Sequence, residues 1–269
     1  YNASATTWWD AVLTIEQSLN TIVYIDNSPL YWGGHIIRIS NVGNVTLNVF
    51  NSSNLYGVKD DAGLGTDWRG LIRIDGSTSD LSIFVVNSTV SGKDAAGPAS
   101  FIETEASVDN VYVMNTTIEN DGVGLAYGIY VKSGHISNLS MSNVHVEDEA
   151  ITTHFIAIYS SEAMNSLTLL GVEAHGLGGD LVHIGSNATG IHINSITLSN
   201  IEFIDSRYLL GFSPQVNIKS ISISFVNCSR VSKVMSMPND DNKIGVFTVS
   251  HLNVYNASDG FDIRGIGSG

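Results

Sequence analysis

A short hydrophobic phrase returns along this chain about every 25 to 36 residues, and an element of that size cannot bury its apolar face alone. It runs VTLNVFN from Val45, LSIFVVN from Leu81, VYVMN from Val111, LSMSN from Leu139, LTLLG from Leu167, ITLSN from Ile196, ISISFVN from Ile221 and FTVSH from Phe247. Apolar residues alternate with polar ones, the period of a strand with one buried face. The second inward position reads Leu47, Ile83, Val113, Met141, Leu169, Leu198, Ile223, Val249. Copies of such a unit bury their apolar faces against the copies above and below, which is the logic of a solenoid.

A second strand precedes each phrase: IIRI to Ile39, LIRI to Ile74, FIET to Thr104, IYVK to Lys132, FIAI to Ile158, LVHI to Ile184, then LLGF, VMSM and FDIR. A third, short strand follows the bend and is carried by Leu55, Val90, Ile118, Val146, Ala174, Phe203, Cys228 and Val254. Three strands per coil, stacked about 4.8 Å apart, predict an all-β parallel β-helix of about nine rungs. An α-helical solenoid would repeat its apolar positions at 3.6 and is excluded.

The outward positions form ladders. Thr46, Ser82, Tyr112, Ser140, Thr168, Thr197, Ser222 and Thr248 make a hydroxyl-rich column. Asn51, Asn87, Asn115, Asn143, Asn200 and Asn227 recur at the bend, where stacked amides can satisfy backbone groups that the turn leaves unpaired. In this rung grammar, as in ISNLSMSNVHVED and INSITLSNIEFIDS, the chain resembles the pectin-lyase-like superfamily across about residues 35 to 265. The resemblance implies a right-handed, single-stranded parallel β-helix. It leaves function open, because that fold hosts lyases, hydrolases, phage spikes and structural fibres.

No linker divides the 269 residues, so one domain is expected: a capping segment over 1–20, rungs over 21–265 and a tail over 266–269. Thr7-Trp8-Trp9-Asp10 has the form of a capping box, and Trp8, Val12, Ile15 and Leu19 follow at helical spacing, which predicts an N-terminal α-helix lidding the first coil. No comparable lid follows the last rung, whose glycine-rich tail GIGSG either folds back, continues into more chain or meets the next subunit.

The start at Tyr1 and the lack of an apolar run long enough to span a bilayer predict a processed, secreted or cell-surface product with no membrane insertion. Nine N-x-S/T sequons point the same way. Asn2, Asn44, Asn138, Asn187 and Asn256 are expected to carry sugar. Asn51, Asn87, Asn115 and Asn227 lie in the bend column, where one side chain cannot both stack and hold a glycan. Cys228, the single cysteine, excludes an intrachain disulfide and reads as a small buried hydrophobe. Twelve Lys and Arg against 26 Asp and Glu leave a formal charge of −14, which disfavours nucleic acid as a partner.

Two constellations could carry chemistry. Arg73, Asp75, Glu103, Glu105, Tyr130, Lys132, Tyr159 and His183 are expected on one outward face of the first strand, where acids, a base and aromatic rings could form a glycan-binding groove. The same residues could simply pair across rungs, Arg73 with Glu103 and Glu105 with Lys132. Separately, Asn120-Asp121-Gly122, Glu147-Asp148-Glu149 and His175-Gly176 resemble, at one-rung steps, the motifs of polygalacturonase-type glycosidases. The resemblance implies Asp121 and Asp148 as catalytic carboxyls with His175 orienting them. The residue between Asn and Asp is missing, however, and in place of Arg-x-Lys stands Asn217-Ile218-Lys219.

Asp60-Asp61, Asp240-Asp241 and Glu147 to Glu149 could hold Ca2+ without a loop spacing that dictates it, and the eight His show no metal pattern, so no cofactor is expected. The sequence thus predicts a secreted, N-glycosylated structural β-solenoid that forms filaments by adding copies of itself end to end. A polysaccharide hydrolase or lyase and a non-catalytic glycan-binding spike are the alternatives.

Overall fold

A computed structural model describes residues 11, 13–32, 35–52, 55–57, 69–91, 99–120, 125–160, 162–185, 190–213, 215–237 and 241–263. Every regular element among them is a strand, and all the strand pairings are parallel, giving a β-solenoid of about seven turns.

Numbered in chain order, the strands fall into three walls. The central wall stacks β2 (Leu19–Asp26), β4 (Ile37–Phe50), β6 (Arg69–Val86), β9 (Ser107–Glu119), β11 (His135–Val146), β13 (Met164–His175), β15 (Ile191–Ile204), β17 (Val216–Ser229) and β19 (Lys243–Tyr255). The first wall begins with β1 (Leu13–Glu16) and the leading halves of β4 and β6. It continues through β8 (Ala99–Thr104), β10 (Leu125–Val131), β12 (Ile151–Ile158), β14 (Val182–Ile184), β16 (Tyr208–Phe212), β18 (Lys233–Met237) and β20 (Phe261–Ile263). The third wall opens with β3 (Leu30–Trp32), β5 (Leu55–Gly57) and β7 (Thr89–Ser91), and later coils supply it from the far ends of their long strands.

The core lies inside the tube. Ile39, Ile74, Thr104, Val131, Ile158, Ile184 and Phe212 stack in one buried column, and Thr104 satisfies its hydroxyl on the Ala106 carbonyl. The third-strand series from Leu55 to Val254 pairs residue for residue in the order read from the sequence.

Three expectations change. The predicted inward column slips once: Ile83 lies opposite Val111, and it is Val85 that meets Val113, because the first coils carry one more inward residue before the bend. Consequently Tyr112 stands on Phe84, their rings stacked at 4.9 Å, and not on Ser82. Next, the expected N-terminal helix is not what residues 13–20 form. Leu13–Glu16 and the start of Leu19–Asp26 are strands paired with β4, since β-branched Thr14, Ile15, Thr21, Ile22 and Val23 suit a ladder and β4 needs an upper partner. Thr7 to Asp10 and Val12 lie outside the described residues.

The third change concerns the bend column. Asn51, Asn87, Asn115, Asn143 and Asn200 adopt left-handed backbone, which Asn tolerates. Each amide from Asn51 to Asn143 donates to the coil before it, Asn51 to Asp26 and then Asn to Asn, at 3.0–3.2 Å. Gly171 takes the next position at φ 62°, and a β-carbon there would sit 2.8 Å from Asn143 Oδ1. Asn227 is not in this column. Phe225 and His251 hold the left-handed positions, their rings stacked at 4.4 Å, while Asn227 pairs with Glu202 and Asn253 on the third wall. The wall length before the bend is set by the inward pair Ile221 and Ile223, not by where the next Asn falls.

Candidate functional site

Parallel pairing carries one outward column down the first wall: Arg38, Arg73, Glu103, Tyr130, Ala157, His183, Gly211, Ser236, Asp262. Beside it run Asp75, Glu105, Lys132, Tyr159, Gly185 and Ser213, which backbone hydrogen bonds tie coil to coil. All eight residues expected on one face are therefore brought onto it.

The charged part is closely paired. Arg38 donates to both oxygens of Asp75 at 3.0 and 3.2 Å. Arg73 reaches Asp75 at 3.2 Å, Glu103 at 3.5 Å and Glu105 at 3.4 Å, and Lys132 meets Glu105 at 2.6 Å. The cross-rung pairs expected from sequence both form. Burial pushes the Asp75 carboxyl up, but hydrogen bonds from Arg38 and Ser40 outweigh it and hold Asp75 below the usual carboxylate range.

Two coils further on, rings replace charges. Small residues make room: Ala157 is the outward residue between Tyr130 and His183, and a β-carbon at Gly128 would strike the Phe155 ring at 2.5 Å. The register shifts between Leu125 and Tyr127, an irregularity of the kind that re-aims a side chain. Tyr127 thereby joins the outer cluster with Ala126, Ala157, Tyr130 and Tyr159. Its ring stacks on Tyr130 at 4.6 Å and lies 6.1 Å from His154, which stacks on His183 at 4.2 Å and 9°. Tyr159 closes the strip, edge-on to Tyr130 at 5.8 Å and tilted to His183 at 5.7 Å.

Asp180 anchors the imidazoles. Its side chain is 1 % exposed, its Oδ2 lies 2.8 Å from His183 Nδ1, and its backbone N–H donates to His154 Nδ1 at 3.0 Å. Burial, reinforced by the neighbouring His183, pushes His154 down to about 4 against the pull of Asp180. Burial likewise raises the phenols of Tyr127, Tyr130 and Tyr159, so all three remain protonated donors. The strip thus offers flat apolar faces, phenolic hydroxyls and neutral imidazole, a combination suited to a ring with polar edges. Tyr127, His154 and Asp180 were not legible as site residues. Tyr127 and His154 pair beside the register shift between β10 and β12, and Asp180 stands just before β14, so counting along strands does not reach them.

The glycosidase-like set is not assembled in the same way. Asp121 lies outside the described residues. The exposed Asp148 carboxylate overlies Gly176, whereas His175 Nε2 faces Glu173 at 3.4 Å and Glu202 at 3.9 Å. His145, Gly171, Glu173 and Glu202 help to line an open depression of about 350 Å³ beside the interrupted amide column. Of the Ca2+ candidates, Asp60, Asp61 and Asp240 lie outside the described residues, and Glu147 is occupied in accepting the Asn120 backbone N–H.

Among the sequons, Asn44 and Asn256 are exposed at left-handed bends. Asn138 is engaged on both sides of its amide, donating to Asn110 Oδ1 at 3.1 Å and accepting from Ser166 at 3.0 Å. Asn2 and Asn187 lie outside the described residues. Cys228 is buried, and burial pushes its thiol up to about 12. No described helix is long and apolar enough to cross a membrane. Comparison with protein-family models, curated proteins and solved structures finds no match to this chain.

Proposed function

We propose that this chain is a structural β-solenoid, right-handed and of nine rungs counting its two end coils, which extends by stacking copies of itself end to end outside the cell. The supporting observation is the loss of burial at the end coils. Ile223 and Cys228 are fully buried, yet Val249 and Val254, directly below them in the same columns, are each 38 % exposed. At the other end Val23 and Ile25 are only half-buried where Leu47 and Val49 beneath them are sealed. An inward residue is covered by the coil on either side, so among the described residues each end coil has a neighbour on one side only and offers a strand edge for another copy to pair.

Negative-stain electron microscopy of the purified protein tests this: strings of stacked particles are expected, and Val249→Asp should shorten them. Monodisperse particles at every concentration sink the reading. The sequons at the exposed Asn44 and Asn256 support an extracytoplasmic location, and intact-mass analysis before and after glycosidase treatment checks for the sugar.

The ring strip favours a second reading, a glycan-binding face centred on Tyr130, Tyr159 and His183. Saturable retention of oligosaccharides, lost in Tyr130→Ala and without release of reducing ends, would identify a binding spike. Release of reducing ends that Asp148→Asn abolishes would identify a hydrolase or lyase.

A further inference from the structure

We propose that His154, Asp180 and His183 bind a transition-metal dication of the zinc class. One donor atom from each lies within 4.8 Å of the other two, although His154 comes from the coil before the one that carries Asp180 and His183. Two imidazoles and one carboxylate suit Zn2+, Co2+, Ni2+ or Cu2+, whereas Ca2+ demands six to eight oxygens. The proposal does not rest on either reading above, although it shares His183 with the glycan-binding face.

Two further observations point to a cation. Asp180 is almost wholly buried, and its Oδ1 has no hydrogen-bond partner; the nearest cationic atom, Arg207 Nε, is 3.9 Å away. A carboxylate removed from water needs more compensation than one imidazole supplies, and a dication provides it. Glycines also leave room at the ligand atoms: a β-carbon at Gly211 would lie 2.2 Å from Asp180 Oδ2, and one at Gly179 would lie 2.6 Å from His154 Nδ1, which exchanges the Asp180 N–H for the metal on binding.

The two rings are nearly parallel at 4.2 Å, so their lone pairs do not yet meet at one point. Ligation turns the half-buried His183 out of the stack. Ligation through its Nδ1 places the ring proton on Nε2. Three protein ligands leave a further position open to solvent.

The test is titration of chelator-treated protein with Zn2+ by calorimetry and with Co2+ by visible absorption. Binding of one equivalent in the low-micromolar range or tighter is expected, with ligand-field bands and a raised melting temperature. Asp180→Asn and His183→Ala should each weaken it at least tenfold, by about the amount a lost ligand-shell partner costs. A His145→Ala/His175→Ala variant, which removes the separate imidazole pair on the third wall, should leave it unchanged. Should Asp180→Asn fail to fold by circular dichroism, the more exposed His183→Ala decides alone. Folded wild-type protein that binds neither metal saturably overturns the proposal, as does affinity untouched by His183→Ala.

Discussion

The first wall presents two stretches of one outward column, and they treat buried charge in opposite ways. From Arg38 to Lys132, every carboxylate meets a guanidinium or ammonium, and the wholly buried Glu103 has Arg73 beside it. From Tyr127 to Arg207 a carboxylate equally buried meets imidazole, and Arg207 stands off at 3.9 Å. Backbone geometry is common to both. A paired ladder on stacked strands does what a structural sheet requires, whereas an under-compensated acid among aromatic rings is the arrangement that has chemistry left to perform.

Variants can break or sharpen that contrast. The largest effect is expected from Phe155→Ala, which empties the core directly beneath the rings; it should destabilise the protein by about 3–5 kcal/mol and abolish glycan retention, read by urea denaturation and affinity chromatography. Loss of stability with retention intact would show that the rings do not depend on the floor under them. Arg73→Ala comes next, at on the order of 2 kcal/mol, since it withdraws the hub shared by Asp75, Glu103 and Glu105 from a site that keeps some solvent access. A neutral outcome there would remove the structural role assigned to the charged stretch. Lys132→Ala should cost less than about 1 kcal/mol, because its ion pair with Glu105 is largely solvated.

The smallest effect is a pH dependence. Asp75 is held below its ordinary value of 3.8, so its contribution to stability is present above that value and is lost as pH falls through the folded pKa. Acid unfolding of Asp75→Asn, followed by circular dichroism below pH 4, should therefore be less steep than that of the wild type. An identical slope would mean that the Arg38 pair is not coupled to folding.

Much of the architecture could be read from residue order because the alternation of apolar and polar side chains states which way each strand faces. Register was harder. The slip at Ile83 arose where the first coils hold two more residues before the bend, a change that preserves alternation, and the bend column passed from Asn227 to Phe225 because β17 follows β15 without a register shift and puts Phe225 opposite Asn200. The N-terminal strands were misread for a related reason: Ile15 and Leu19 satisfy a helical spacing, yet Leu13 and Ile15 also satisfy a strand, and only the open edge of β4 decides between them.

The site divides along the same line. Tyr130, Tyr159 and His183 occupy regular outward positions, and counting along strands was enough to place them on one face. Tyr127 and His154 pair beside the register irregularity between β10 and β12, and Asp180 stands two residues before β14, where alternation alone does not place a side chain. What the chain's own order determined is a stack of three-walled coils with an apolar interior, since alternation and repeat length are properties of a one-dimensional string. The stacked imidazoles around a buried carboxylate were decided by tertiary structure alone, because their proximity depends on how far each coil travels before it closes over the one beneath.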